Sequence, residues 1–220
     1  MPIPKLEPAS TIFFLCDIQT KFKPAIYGYD HIVATANKMV KLAKLLDIPV
    51  VVTTQNARAL GQTDSAIDLA SLGPLLLGPV DKSLFSMLVS DVEAILSARP
   101  HIKSIVIFGI ESHVCVMQTV LSILSAGMHT PYVVADGVSS CNSFEIPIAI
   151  DRMRTEGARI GTSESIAFQL MADASLPAFK AFSRLIKEEK DSTRRVGEAL
   201  LQGVAAEEEK GKDVIVVSKY

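Results

Sequence analysis

The stretch IVIFGIESHVCVMQTVLSILSAG, residues 105–127, decides the fold. Ile105, Val106, Ile107 and Phe108 form a continuous apolar run, β-branched and short, that stops at Gly109. Such a run reads as a strand buried on both faces. From His113 to Ala126 no Asp, Glu, Lys or Arg interrupts the sequence, and Gly127 follows. That segment predicts a buried helix closed by a glycine cap. A buried strand, a tight turn and a buried helix make one βα unit, with Cys115 near the start of its helix.

The same alternation extends in both directions. Strands are predicted over Thr11–Cys16, Pro49–Thr54, Pro131–Ala135 and Ala158–Gly161, with a brief extended segment from Val80 into Lys82. Helices are predicted over Asp30–Asp47 with Asp30 as N-cap, near Ser65–Ser71, and over Asp91–Ala98, Glu145–Glu156, Ser163–Met171 and Pro177–Lys190. In the 30–47 segment Ile32, Ala36, Met39, Ala43 and Leu46 recur at helical spacing, while Lys38, Lys41 and Lys44 lie on another face. Strands alternating with helices imply a three-layer αβα sandwich with a central, mostly parallel sheet of Rossmann type. One domain is expected over residues 1–187. From 188 to 220 the chain turns charged and small-residue rich, as in a tail or arm. Its end, VIVVSKY, is either a strand added to a neighbouring subunit or unstructured.

Composition bounds the function. A chain of 220 residues with 49% hydrophobic content can bury about 70% of its unfolded surface without metal or disulfide. The net charge of −2 offers no footprint for a polyanion, which disfavours nucleic acid. No apolar run approaches a membrane span. The start, MPIPKLEPAS, lacks the apolar core of a signal peptide. Three cysteines in no metal or redox spacing point to reduced thiols and a cytoplasmic, or organellar, location.

In open α/β sheets sites form at the carboxyl ends of the strands. Asp17 ends the first strand, Lys82 follows the segment at 80, and Cys115 follows the strand at 104–108. A thiol attacks carbonyls as its thiolate, which a helix N-terminus and a nearby ammonium both favour. A carboxylate can take the thiol proton and return it to a leaving amine. Any one of the three has an ordinary alternative: a core cysteine, a turn aspartate, a surface lysine. Cys16, one step before Asp17 on a strand, is expected to face the opposite side and serve the core. Cys141 lies in the DGVSSCNS loop. His113 stands two residues from Cys115, which on a helix does not make a facing pair.

The segments FFLCDIQTKF, VDKSLFSM, GIESHVCVMQT and TSES resemble those of the isochorismatase-like cysteine hydrolase superfamily, and within it the isochorismatase domain-containing proteins. The resemblance spans roughly residues 11–187. It implies a nucleophilic Cys115, a base Asp17 and a supporting Lys82. It further implies a non-proline cis peptide at Ile110–Glu111 that aims the N–H groups of Glu111 and Cys115 at an oxyanion. Two departures shape the expectation. Nicotinamidases of the superfamily carry metal-binding aspartate and histidines after the second strand, where this chain has TTQNARALG. Isochorismatases proper lack the nucleophilic cysteine and cleave a vinyl ether.

The expected activity is therefore hydrolysis of a small amide, carbamate or related acyl compound through a thioester, with no metal and no cofactor. Phe22, Gln55, Leu60 and Ile110 are expected to line a small, partly apolar pocket. The alternatives are a catalytically idle, oligomeric interaction protein of the same fold and, a poorer fit, a ribonuclease. Gln118, Ser122 and Ser125 form one stripe on an otherwise apolar helix, which predicts a homo-oligomer.

Overall fold

Among the described residues, six strands assemble in the order β3-β2-β1-β4-β5-β6, every neighbouring pair parallel. The computed structural model describes residues 5–202. The strands are β1 (Thr11–Cys16), β2 (Val50–Gln55), β3 (Leu76–Lys82), β4 (Ser104–Ile110), β5 (Thr130–Ser139) and β6 (Arg159–Gly161). The α-helices of the described residues are α1 (Tyr29–Leu46), α2 (Ala57–Leu60), α3 (Ser90–Ser97), α4 (Met117–Ala126), α5 (Glu145–Glu156), α6 (Ser163–Met171) and α7 (Phe179–Gly197).

Two apolar layers explain the sandwich. On one face Phe13, Leu15, Val50, Val52, Val106 and Phe108 pack under α1, α6 and α7. On the other, Ile12, Phe14, Val51, Ile105 and Ile107 pack under α3, α4 and α5. The odd and even residues of each strand thus serve opposite layers, which is why these runs are apolar throughout. Phe13 and Phe108, neighbours across β1 and β4, meet edge to face with centroids 6.1 Å apart.

Several boundaries differ from the sequence expectation. Strand β3 is longer than the segment at 80, and its Gly78–Pro79 bond is cis. Glycine and proline read as turn residues in sequence, yet an edge strand tolerates them. Strand β5 runs on through Ala135, Asp136 and Gly137 to Ser139, with a register irregularity against β4. Residues 65–71 are not α-helical: α2 lies earlier, and a 3-10 segment covers Leu69–Leu75. Gly28, in a left-handed conformation, caps α1 where Asp30 was expected, and Asp30 falls in the first turn.

The domain boundary expected after residue 187 falls inside α7. Phe182, Leu185, Glu189 and Val196 are buried along this helix, and Leu200 just beyond it is buried too. Lys41 of α1 pairs with Glu189 at 2.6 Å, and Lys38 Nζ donates to Thr193 Oγ1 at 2.9 Å. The high charge of this segment hid its apolar stripe. The VIVVSKY segment lies outside the described residues. No described helix is long and apolar enough to cross a membrane.

Candidate active site

The strand order reverses direction between β1 and β4, so the connections that follow them part to opposite faces and leave a crevice where sheets of this order bind ligands. Asp17 leaves β1 there, and the Ile110–Glu111 peptide, which is cis, leaves β4. A wide π turn over Ser112–Val116 carries Cys115 into α4. The single helix predicted from His113 is thus a π turn followed by an α-helix. Turns of this kind occur often at functional sites.

Lys82 arrives from β3, two strands away from β1. Its stem spans β2, and its Nζ lies 2.6 Å from Asp17 Oδ2. The same ammonium donates to Gln55 Oε1 at 2.7 Å and to the carbonyls of Leu84 and Phe85 at 3.1 Å each. Thr53 Oγ1 donates to Asp17 Oδ1 at 2.7 Å. Asp17 and Lys82 are buried, at 1% and 4% exposure, and Cys115 keeps 7%. Burial alone would depress the Lys82 ammonium, but the groups of Cys16, Asp17 and Cys115 around it reverse that and hold it above its usual range. It stays a cation, and a buried ion pair with every proton used is the arrangement that survives desolvation.

Cys16 is buried in the core, as expected, but it does not turn away from Asp17. Asp17 adopts a left-handed backbone, φ 49°, which an aspartate tolerates better than most residues. That kink ends the strict alternation, so Cys16 and Asp17 converge instead of diverging. Cys16 Sγ lies 3.6 Å from Asp17 Oδ2 and close to the Cys115 thiol. Burial, then that contact and the Asp17 charge, push the Cys16 thiol well up. It remains protonated and donates. Thr53 was likewise missed, although a threonine in the apolar run VVVTT is a visible signal.

Two further contacts fix the rim. Thr119 Oγ1 donates to the Cys115 carbonyl at 2.6 Å and accepts from the Met87 N–H at 2.8 Å, tying the loop after β3 to the π turn. Gln19, fully buried, bridges the loops after β1 and β2 through Gln55 and Gly61. Of the expected pocket residues, Gln55 spends its side chain on Lys82 and on the Ser83 carbonyl. Ile110 is buried in the core, so it presents backbone rather than side chain. Phe22 packs against the same core from the loop after β1, and Leu60 is half-buried at the end of α2. Among the described residues, no cluster of His, Cys, Asp and Glu gathers on the segment after β2.

Gly109 makes the close approach of β1 and β4 possible. Its φ is +128°, and a Cβ there would stand 2.1 Å from the Cys16 carbonyl oxygen. Gly109→Ala is expected to destabilise the protein by at least about 3 kcal/mol, combining backbone strain with a clash that only strand separation relieves. Chemical denaturation measures it. A loss below about 1 kcal/mol would mean that the two strands part freely at the site.

Residues 11–165 match the Isochorismatase domain, and the chain belongs to that family. It is 40% identical to isochorismatase domain-containing protein 1 of Salmo salar over 83% of its length, and spans 62% of that relative. It is also 40% identical to isochorismatase domain-containing protein 2A of Mus musculus, over 84% of this chain and 86% of the relative. Among solved structures, one titled MAR1 ribonuclease from Caenorhabditis elegans superposes with a TM-score of 0.75. It is 32% identical and covers 84% of this chain and 93% of its own.

Proposed function

We propose that the chain is a cysteine hydrolase of small amides, carbamates or related acyl compounds. The observation that carries this reading is the buried Asp17–Lys82 pair where the chain leaves β1, near enough to Cys115 for the thiol to act electrostatically on the ammonium. Asp17 accepts from Thr53, Lys82 and Cys16, three of the roughly four acceptor sites of a carboxylate. One site is left for the proton of Cys115.

The sequence of steps balances with these groups alone. Asp17 takes the Cys115 proton, and the sulfur attacks the substrate carbonyl carbon. The N–H groups of Glu111 and Cys115 receive the oxyanion, a role worth about 3–4 kcal/mol per donor in well-studied hydrolases. The C–N bond breaks, and the proton on Asp17 passes to the leaving amine. Water then loses a proton to Asp17, attacks the thioester, and releases the acid while the thiol is restored. Lys82 touches no reacting atom in this scheme. It holds Asp17 in place and offsets the negative charge in a dry site.

The test is a panel of small amides, carbamates and acyl esters incubated with the full chain, following release of amine and acid. Because a solved relative is titled a ribonuclease, a single-stranded RNA belongs on the same panel. Turnover of an acyl compound that vanishes in Cys115→Ala supports the proposal. Cleavage of RNA alone, or no cysteine-dependent turnover of any member, contradicts it.

We also propose a homo-oligomer in a reducing compartment. Gln118 and Ser125 lie exposed and Ser122 half-exposed along α4, with Leu121 and Leu124 only partly buried beside them. All three cysteines are free. Light scattering at micromolar concentration is expected to give a multiple of 23.7 kDa, and a monomer mass contradicts it.

A further inference from the structure

The loops after β4 and β5 bring together three donors that the hydrolytic scheme leaves idle. They are the carboxylate of Glu111, the imidazole of His113 and the thiol of Cys141, one ligand atom of each lying within 4.8 Å of the others. We propose that Glu111, His113 and Cys141 form a binding site for a divalent cation of the zinc class, beside the Cys115 centre and separate from it.

The donor set selects the ion. Sulfur, imidazole nitrogen and carboxylate oxygen together suit Zn²⁺ or Co²⁺, whereas Mg²⁺ and Ca²⁺ require oxygen shells. Three protein ligands leave a fourth position for water, the usual arrangement of an open zinc site. In a tetrahedral site with bonds of roughly 2.0–2.3 Å the ligand atoms stand about 3.3–3.7 Å apart. The three atoms therefore have to close by no more than about 1.5 Å, which side-chain torsions supply.

The surroundings hold the ligands in position. His113 Nδ1 lies 2.9 Å from Ser140 Oγ, which in turn contacts Ser112 Oγ. That contact orients the ring as neighbouring hydroxyls and carbonyls orient metal-binding histidines. The Cys141 N–H donates to Glu111 Oε2 at 2.8 Å, fixing the carboxylate against the loop that carries the thiol. Cys141 is exposed and Glu111 and His113 half-exposed, so an ion can enter from solvent. Binding forms metal–sulfur, metal–nitrogen and metal–oxygen bonds, and the Cys141 thiol proton leaves to solvent. No electron is transferred.

The full chain is titrated with ZnCl₂ against a chromophoric chelator, and separately with CoCl₂ while recording absorption. One ion per chain is expected, with a thiolate-to-cobalt band in the near ultraviolet. Cys141→Ser is expected to remove the band, and His113→Gln to weaken zinc binding by at least about tenfold, while Cys115→Ala retains both. Cys141 is exposed, so its replacement leaves the fold intact, which circular dichroism verifies. Two results overturn the assignment. One is the absence of stoichiometric binding to the unmodified chain. The other is a cobalt band that survives Cys141→Ser and disappears in Cys115→Ala. The hydrolytic proposal stands or falls independently when the acyl panel is repeated with a chelator present.

Discussion

Lys82→Met is expected to cost the fold about 3–5 kcal/mol, the range for removing one partner of a buried ion pair. The methionine fills similar volume, so packing changes little and the loss is electrostatic. Asp17 is left as a buried carboxylate without its cation, while Gln55 Oε1 and the carbonyls of Leu84 and Phe85 lose their donor. Urea unfolding at neutral pH reads the difference. Adding Asp17→Asn is expected to return part of it, because the stranded charge is then gone. The sign of the pH dependence follows from the raised ammonium. A base whose protonated form is favoured by folding contributes stability that is complete below its ordinary value near 10.5 and is lost as pH rises through the higher folded value. The gap between the parent and Lys82→Met therefore narrows as pH rises through that alkaline window. A gap below about 1 kcal/mol at neutral pH would make the pair an exposed one, contrary to the geometry.

Cys115→Ala is expected to lower turnover of any acyl substrate identified on the panel by about a thousandfold or more. Removing a nucleophile leaves only binding and oxyanion stabilisation. The residue is nearly buried and the change is small, so stability is expected to fall by no more than about 1 kcal/mol. Those two readouts separate a nucleophile from a core cysteine. A core role predicts a stability loss with turnover unchanged. Cys16→Ala provides the control within the same site. It removes a protonated thiol from beside Asp17 and is expected to alter rate modestly, without abolishing it.

Much of the scaffold was legible because the pattern and the physics agree. The run at 105–108, the glycine at 109 and the charge-free segment after it specify a buried βα unit. The same logic places Asp17 at the end of β1. Legibility failed where local signals oppose the tertiary context. Gly78 and Pro79 break the strand pattern of β3, yet that strand lies at the edge of the sheet. The charges of KEEKDSTRR suggested a solvated tail, whereas Glu189 and Thr193 are anchored on the lysines of α1. Cys16 is in the core, as expected, but its expected separation from Asp17 failed because strand alternation was carried one residue too far, into the left-handed Asp17. The grouping of Cys141 with Glu111 and His113 depends on the packing of two loops 28–30 residues apart in sequence, which no spacing rule encodes.

The most direct test of the central claim compares alkylation of the three cysteines by iodoacetamide at pH 6, followed by peptide mass spectrometry. Exposure alone favours Cys141, the one cysteine open to solvent. The account predicts the opposite order: Cys115 is modified first, well ahead of Cys141 and Cys16, and Asp17→Asn or Lys82→Met slows it. Labelling that follows exposure, with Cys141 fastest and Cys115 indifferent to both substitutions, would contradict a nucleophile assembled from Asp17, Lys82 and Cys115.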